Sequence, residues 1–185
     1  MEIVVGISGA SGVQYGIRLL EALKAKGCTT HLIITDSARK IIEIETSTPP
    51  REVEGLAAHV YAPNDFSASV ASGSHLFDAL VVIPWSIGTL SGIACGSSDT
   101  LITRCADVCL KEKRRLILVT RETPLSLIQL RNMVAASEAG AVILPACPAF
   151  YSQPKSLAEL VDVLVGRVLD LLGLENDLYN RWDGS

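Results

Sequence analysis

Short runs of consecutive apolar residues alternate along this chain with segments in which apolar residues recur every three or four positions. The runs predict buried β-strands at residues 3–8, 30–35, 79–83, 116–120 and 141–144, with a shorter strand near residues 58–61. The helical spacing predicts helices at residues 13–26, 37–45, 88–95, 99–112, 126–139 and 156–172. Strands that are apolar throughout and are separated by helices are typical of a parallel sheet with helices on both faces. We therefore expect a three-layer α/β fold in a single domain, residues 1–185.

The connections between these elements carry weaker signals. Residues 46–64 contain three prolines and predict a connection without a helix. Residues 67–75 are rich in Ser, Ala and Gly and predict a loop that could lie against a ligand. Ser156 and Glu159 have the spacing of a capping box. The tail at residues 175–185 carries two aromatic residues, so we expect it to dock on the oligomer.

Composition limits the class of protein. Hydrophobic residues make up 49% of the 185 positions and charged residues only 19%, which predicts apolar surface that packs against other subunits. The sequence contains no apolar run of about 18 residues and begins without a basic leader, so neither a membrane span nor a secretory signal is expected. A net charge of −4 argues against broad nucleic-acid binding.

The cysteines are odd in number and scattered, which favours a reducing cytoplasm over a disulfide framework. They are Cys28, Cys95, Cys105, Cys109 and Cys147. Cys105 and Cys109 lie four residues apart on one predicted helical face, where we expect small buried thiols. His31, His59 and His75 have no recognisable metal-ligand spacing, so no metal site is expected.

Cations concentrate in one part of this acidic chain. Residues 104–121 hold six of the 16 Lys and Arg residues: Arg104, Lys111, Lys113, Arg114, Arg115 and Arg121. This density predicts an anion site, most simply for a phosphate. A solvated helix end is the alternative for residues 113–115. Arg121 and Glu122 follow a predicted strand directly, so they should lie at the carboxyl edge of the sheet, where Glu122 would supply acid/base chemistry.

Two glycine- and hydroxyl-rich turns should lie at the same edge. Gly6-Ile-Ser-Gly-Ala-Ser-Gly12 joins the first strand to the first helix, whose N-terminal N–H groups suit an anion, and Ser8 and Ser11 add hydroxyl groups. Asp36 follows the second strand where a ribose-binding acid would lie, which leaves a nicotinamide dehydrogenase as a minor alternative. A purely structural turn is the other alternative.

The second turn is Pro84-Trp-Ser-Ile-Gly-Thr89, which opens another helix. Ser86 is either a ligand contact or an ordinary N-cap. Glu45 ends the second predicted helix, where a carboxylate opposes the dipole, so it is either functional or a solvated residue.

The last strand is followed by an aromatic pair. Aromatic faces attract cations, and we favour that role for Tyr151 and hydrophobic packing for Phe150. Arg167 lies among apolar residues of the last helix, where burial would require an anionic partner. The alternative is an arginine whose head group reaches the surface.

Together these segments resemble the UbiX-type flavin prenyltransferases over nearly the whole chain. The most specific matching segments are Leu101-Ile-Thr-Arg-Cys-Ala-Asp107, Leu110-Lys-Glu-Lys-Arg-Arg115, Arg121-Glu-Thr-Pro-Leu-Ser126 and Gly140-Ala-Val-Ile-Leu-Pro145. The resemblance implies a flavodoxin-like or Rossmann-like fold assembled as a homododecamer. It implies that dimethylallyl phosphate prenylates reduced FMN at N5 and then C6, without a metal ion. The product, prenylated FMN, would serve UbiD-type decarboxylases as their cofactor.

The resemblance also implies roles for individual residues. The implied FMN contacts are Gly9, Ala10, Ser11, Thr35, Ser86, Ile87, Gly88, Thr89 and Arg121. The implied dimethylallyl phosphate contacts are Lys111, Tyr151 and Arg167, and the implied proton-transfer groups are Ser11, Glu45 and Glu122. Trp85 departs from the family's common Cys, and Asp99-Thr100 from its common Asp-Asn or Asn-Asn, so Trp85 could reshape the flavin or prenyl pocket.

Two rival functions remain. Flavin-dependent cysteine decarboxylases share the sheet but use a catalytic His and a Pro-x-Met-Asn segment. This chain has only two methionines, Met1 and Met133, and Met133 lies inside a predicted helix. A non-catalytic flavin carrier would explain the glycine and serine turns, but not the cations, Glu122 and Tyr151 together.

Overall fold

The computed structural model describes residues 1–184 and contains six parallel strands in one sheet. The strands are β1 (Glu2–Ile7), β2 (Thr29–Ile34), β3 (His59–Tyr61), β4 (Ala79–Val82), β5 (Arg115–Thr120) and β6 (Val142–Pro145). The helices are α1 (Val13–Ala25), α2 (Asp36–Glu45), α3 (Pro50–Glu54), α4 (Ile87–Cys95), α5 (Leu101–Lys111), α6 (Leu127–Ala139) and α7 (Leu157–Leu172). The predicted parallel α/β fold is confirmed, with strand order β3-β2-β1-β4-β5-β6.

The chain divides into two compact units. The first, Met1–Pro145, contains the whole sheet and helices α1 to α6. The second begins at Ala146 and contains α7 and the tail. That residues 1–185 act as one domain stays a prediction.

Helices of the first unit cover both faces of the sheet, because successive side chains of a strand point to opposite faces. A Cβ built on Gly6 of β1 would lie 3.3 Å from Ile102 of α5, so α5 packs closely on that face. A Cβ built on Gly16 of α1 would lie 2.9 Å from Ile7, whose side chain points to the other face. The glycines therefore let α1 and α5 approach the sheet closely.

The predicted buried thiols are confirmed. Cys105 and Cys109 of α5 are fully buried in the apolar cluster between α5 and the sheet. Burial raises the pKa of each thiol to about 12, because the thiolate would lose its hydration. These two cysteines are therefore inert packing residues at neutral pH.

Two connections differ from expectation. Residues 46–64 contain helix α3, which the prolines initiate rather than prevent: Pro50 occupies the first turn, where its missing N–H needs no partner. The predicted ligand loop at residues 67–75 instead packs on α5. Val70 is fully buried, its carbonyl accepts the Cys105 thiol, and the Ala71 carbonyl accepts the Arg104 guanidinium.

The predicted capping box at α7 is only half formed. The Ser156 hydroxyl accepts the Glu159 N–H at 3.2 Å, as expected. The Glu159 carboxylate, however, accepts the N–H of Lys155 at 2.7 Å rather than that of Ser156. Among the described residues, every helix is too short or too polar to cross a bilayer.

Candidate active site

The order of the strands creates a crevice at the carboxyl edge of the sheet. Strand β1 pairs with β2 on one side and with β4 on the other, so the connections after β1 and β4 run in opposite directions. In open α/β sheets, ligands bind where the connections diverge in this way. The loops after β1 and β4 are the two turns singled out in the sequence.

The buried side chain of Ser8 joins these two loops. Its hydroxyl accepts the N–H of Ser86 at 2.6 Å and donates to the carbonyl of Pro84 at 3.3 Å. Ser8 is fully buried, so the prediction that its hydroxyl faces a ligand is wrong. Instead it fixes the first turn against the second, a role that cannot be recognised from the sequence.

Glu45 anchors the first turn from the end of α2. Its Oε2 accepts the N–H of Gly12 at 2.8 Å, and Gly12 has a left-handed φ of 96° where α1 begins. A carboxylate is unfavourable at the C-terminal end of α2 but favourable at the N-terminal end of α1. The contact therefore explains a carboxylate at this position, and it excludes the solvated alternative for Glu45. The Gly12 N–H was predicted to be open to a ligand anion, but it is already hydrogen-bonded to the Glu45 carboxylate.

Arg121 reaches the first turn from the end of β5. Its Nε donates to the carbonyl of Ser11 at 2.9 Å, and its side chain is partly exposed. A guanidinium has five donors, so this bond leaves capacity for an external anion. The neighbouring Glu122 is also partly exposed, and its Oε1 accepts the N–H of Thr123 at 3.0 Å.

The second turn combines capping with open space. The Ser86 hydroxyl accepts the Thr89 N–H at 3.4 Å and pairs with the Thr89 hydroxyl at 3.0 Å, so its N-cap interpretation is confirmed. Ile87 is half exposed. A Cβ built on Gly88 would meet no atom within 4 Å, so this face of the turn is open.

Thr35 and Gly9 complete the edge. The Thr35 hydroxyl accepts the Ala38 N–H at 3.2 Å and caps α2. A Cβ built on Gly9 would lie 2.7 Å from the Cβ of Ser37, so only glycine fits against the start of α2. The structure thus brings together most predicted site residues: Gly9, Ala10, Ser11, Thr35, Glu45, Ser86, Ile87, Gly88, Thr89, Arg121 and Glu122.

Trp85 lies beneath this edge. It is 2% exposed, and its indole N–H donates to the Thr120 hydroxyl at 3.2 Å. Thr120 directly precedes Arg121, so this bond links Trp85 to the end of β5. That Trp85 reshapes the flavin or prenyl pocket stays a prediction.

The predicted cation cluster is split between opposite edges of the sheet. Lys111 ends α5 and precedes β5, whereas Arg121 follows β5. Six strand residues separate the two edges by about 17 Å, since each step rises about 3.3 Å. Within one chain, the prediction that Lys111 shares a site with Arg121 is therefore wrong.

Arg114 has a structural role at the amino edge. Its guanidinium donates to the carbonyls of Gly73 at 2.6 Å and His75 at 2.8 Å. It also lies over the ring of Phe77, 4.6 Å from the centroid. Arg114 thus holds the loop before β4, which the anion-site hypothesis did not anticipate.

In the second unit, Arg167 already has an anionic partner. Its Nη1 lies 3.1 Å from Asp170 Oδ2 and 3.3 Å from the Tyr179 hydroxyl. The side chain is 52% exposed, so of the two alternatives for Arg167 the surface one is confirmed within this chain.

Asp170 also anchors the tail to α7. Burial alone would raise its pKa, but hydrogen bonds from Arg181, Tyr179 and Asn176 outweigh burial and lower the pKa to about 2. The carboxylate is therefore charged at neutral pH, and the tail contacts its own chain. Docking on another copy stays a prediction.

The aromatic pair of the second unit is exposed. Tyr151 is 46% exposed and contacts Trp182 edge to face, with ring centroids 5.6 Å apart. Phe150 is 77% exposed, so its predicted hydrophobic packing is wrong within this chain. Both rings are available to a ligand or a second copy.

Comparison with known proteins places these features in a family. Residues 1–169 match the model of the family described as Flavoprotein. A flavin prenyltransferase UbiX from Thermoplasma acidophilum is 53% identical over 98% of this chain and 100% of its own length. A crystal structure of AnUbiX (PadA1) in complex with FMN and dimethylallyl pyrophosphate superposes with a TM-score of 0.98. It is 47% identical and covers 100% of this chain and 98% of its own.

A dodecameric FMN-dependent UbiX-like decarboxylase from Escherichia coli O157:H7 superposes with a TM-score of 0.97. It is 44% identical, and the match covers 100% of both chains. The second solved protein is thus described as a decarboxylase, although it shares this fold with the first.

Proposed function

Because this chain belongs to the flavoprotein family, and within it to the UbiX flavin prenyltransferases, we propose that it transfers a dimethylallyl group to reduced FMN. The observation that carries the proposal is the carboxyl-edge crevice. There an arginine, two glycine- and hydroxyl-rich turns and two carboxylates meet in a chain with full-length flavin prenyltransferase relatives. The donor is dimethylallyl phosphate, and the product is prenylated FMN.

The residues of the crevice suit FMN. A flavin mononucleotide needs donors for its phosphate and a flat open wall for its ring. The hydroxyls of Ser86 and Thr89 and the guanidinium of Arg121 supply donors. The open face at Gly88 leaves space for the ring. Gly9, Ala10, Ser11, Thr35 and Ile87 are proposed to complete the FMN contacts.

The donor gives up its allylic C–O bond and its C=C π bond, and it forms bonds to flavin N5 and C6. Reduced FMN supplies the electron-rich N5 and C6 positions. The allylic C–O bond breaks, and the phosphate leaves with the electron pair. N5 loses a proton when the first bond forms. Ring closure then adds a proton to the former alkene and removes one from C6, so the site needs both an acid and a base. The chain contributes cations for the departing phosphate and carboxylates for the proton transfers.

Glu122 is the proposed principal acid/base group. Its side chain is partly exposed beside Arg121. Oε1 accepts the Thr123 N–H, which leaves Oε2 to bind a proton. Glu45 has its Oε2 engaged by Gly12, so proton transfer there would use Oε1. Ser11, which is exposed on the same turn, is the proposed hydroxyl relay.

The proposed contacts to the donor phosphate are Lys111, Tyr151 and Arg167. Lys111 lies at the amino edge of its own sheet, so it would have to reach the site of another copy. Arg167 is paired with Asp170, but its remaining donors can bind a phosphate. We infer that this second anion site is completed in the oligomer.

Exposed apolar side chains support an assembly. Leu127, Ile128, Leu130 and Val134 of α6 are 44–71% exposed, which is unusual for large apolar residues on one helix. Phe150, Leu157 and Trp182 of the second unit are 64–77% exposed. We propose a homododecamer, as in the E. coli relative. We also propose a cytoplasmic location and a UbiD-type decarboxylase as recipient of the product.

An anaerobic incubation of the protein with reduced FMN, dimethylallyl phosphate and no added metal tests the proposal. We expect the recovered flavin to gain one five-carbon unit for each phosphate released, as read by mass spectrometry and phosphate assay. If the flavin returns unchanged and an added carboxylic acid is not decarboxylated, the chain is a flavin carrier. Release of carbon dioxide from a carboxylic acid, without prenylation, would support the decarboxylase description instead.

A further inference from the structure

All three histidines of the chain gather at the amino edge of the sheet, opposite the crevice. The Glu2 carboxylate on β1 contacts the imidazole rings of His31 on β2 and of His75 in the loop before β4. His31 Nε2 lies 2.8 Å and His75 Nε2 lies 2.7 Å from the same atom, Glu2 Oε1. The three candidate ligand atoms all lie within 4.8 Å of one another. We propose that Glu2, His31 and His75 form a zinc site.

The donor set suits Zn²⁺. Two imidazole nitrogens and one carboxylate oxygen are a recurrent set of three protein ligands, with a fourth position for water. Coordination would replace the two N–H···O contacts by three bonds to the metal, each about 2.0–2.2 Å long. Only small rotations of the side chains are required, because all three donors already point to one place. Hard oxygen-preferring cations such as Mg²⁺ fit this set less well.

A second layer of contacts orients the ligands as metal sites require. A zinc-bound His commonly donates its other ring N–H to an oxygen, which fixes its tautomer. His31 Nδ1 lies 3.0 Å from the Tyr61 hydroxyl, which in turn lies 3.4 Å from the Ser69 hydroxyl. With Nδ1 as the donor to Tyr61, Nε2 presents its lone pair to the metal.

Hydrogen bonds also fix the main chain of the other two ligands, Glu2 and His75. Asp78 accepts the N–H of Glu2 through Oδ2 at 2.7 Å and returns its own N–H to the Glu2 carbonyl at 2.8 Å. The carbonyl of His75 accepts the Arg114 guanidinium. Two strands and a pinned loop therefore present the ligands, rather than flexible surface side chains.

The site is accessible on one side only. The side chain of His31 is 3% exposed, whereas those of Glu2 and His75 are 32% and 30% exposed. His59 stacks on His31 with ring centroids 4.7 Å apart and covers it without contributing to the ligand cluster. A metal ion can therefore enter from the Glu2 and His75 side.

The zinc site is independent of the proposed function, because it lies at the other end of β1, about 17 Å from the crevice. Zinc would clamp β1, β2 and the loop before β4 to one another. At a hundred times its Kd, zinc should raise the Tm by about 5–10 °C. It should leave the prenylation rate unchanged.

The test uses the full-length protein, produced without a histidine tag and treated with chelator. We expect one Zn²⁺ per chain in a calorimetric titration, and the visible spectrum of tetrahedral Co²⁺ without thiolate bands when Co²⁺ is the probe. Glu2→Gln and His75→Ala should each abolish stoichiometric binding. Tyr61→Phe keeps the ring but loses the hydroxyl, and should weaken binding about 10- to 100-fold.

His59→Ala is the matched control, since it removes a stacked imidazole but no ligand, and should retain one zinc per chain. Thiolate bands would assign the metal to exposed Cys95 or Cys147 and overturn the proposal. A wild-type protein that binds no zinc, or folded Glu2→Gln and His75→Ala variants that bind it fully, would leave only a hydrogen-bonded cluster.

Discussion

The two edges of the sheet are built from different residues, although each gathers side chains around a carboxylate. At the carboxyl edge, glycines and short hydroxyl side chains line the turns after β1 and β4, and Glu45 is held by the main chain of Gly12. At the amino edge, Glu2 is surrounded by imidazole rings, with Tyr61 and Phe77 beyond them. Small residues leave space for a large flat ligand, whereas the rings fill the space themselves.

The two ends of the strands therefore suit different ligands. The carboxyl edge offers main-chain and hydroxyl donors, a guanidinium and open volume, which suit an external anion with an aromatic ring. The amino edge offers a few converging lone pairs and little volume, which suit at most one small ion. Variants at the two edges should therefore affect different measurements.

The largest expected effect is on turnover. Glu122→Gln keeps the size of the side chain and its acceptor for the Thr123 N–H, but removes the titratable proton. Turnover should fall about a hundredfold to ten-thousandfold. Steady-state prenylation under anaerobic conditions measures the loss, and FMN fluorescence titration should show unchanged affinity. Glu138→Gln, at an exposed position of α6, is the control. Normal turnover of Glu122→Gln would make Glu122 structural.

A smaller effect is expected on flavin affinity. Arg121→Ala removes the guanidinium that spans from the Ser11 carbonyl to the proposed phosphate. Loss of a charge-assisted hydrogen bond of about 1.5–3 kcal/mol should weaken FMN binding roughly tenfold to a hundredfold. Arg131→Ala removes an exposed arginine of α6 and should bind FMN normally. Equal affinity in both variants would place the FMN phosphate elsewhere.

Glu45 allows the structural and chemical roles of one carboxylate to be separated. Glu45→Ala removes the acceptor for Gly12 and should lower the free energy of unfolding by about 1–3 kcal/mol. Glu45→Gln keeps an acceptor and should restore most of that stability. Urea denaturation measures both variants. If the Gln variant is stable but slow in turnover, Glu45 transfers a proton; if it is stable and active, Glu45 only anchors the turn.

The smallest effect on catalysis is expected from the amino edge. His75→Ala should leave turnover and FMN affinity within twofold of wild type, because its contacts lie about 17 Å from the crevice. The same variant should lose the zinc-dependent rise in Tm. A large loss of turnover in folded His75→Ala protein would mean that the amino edge affects catalysis. That result would contradict the independence of the two edges.

The sequence predicted the carboxyl edge well because chemistry there follows the order of the chain. Gly9, Ser86 and Arg121 follow the apolar strands β1, β4 and β5 by two, four and one residues. Parallel strands bring such positions to one edge. Two contacts were not predicted: the hydrogen bond of Ser8 to Ser86, and that of Glu45 to Gly12. Both depend on which loops meet in space. Helix α3 was missed because paired prolines indicated a loop, although Pro50 starts the helix.

The amino edge could not be predicted. Glu2, His31 and His75 lie far apart in sequence, and their convergence depends on the pairing of β1 with β2 and on the loop that Arg114 holds. The same limit explains the error with Lys111. Its closeness to Arg121 in sequence suggested one cluster, but a buried strand between them places the two cations at opposite edges.

Hydrogen exchange, measured by mass spectrometry with and without saturating reduced FMN, compares the two edges most directly. We expect slower exchange in peptides that cover residues 8–12, 35–38, 86–89 and 121–123, and unchanged exchange at residues 29–31, 59–61 and 72–78. Protection confined to the second group would place the flavin at the amino edge and contradict the assignment of the crevice as the site of flavin prenylation.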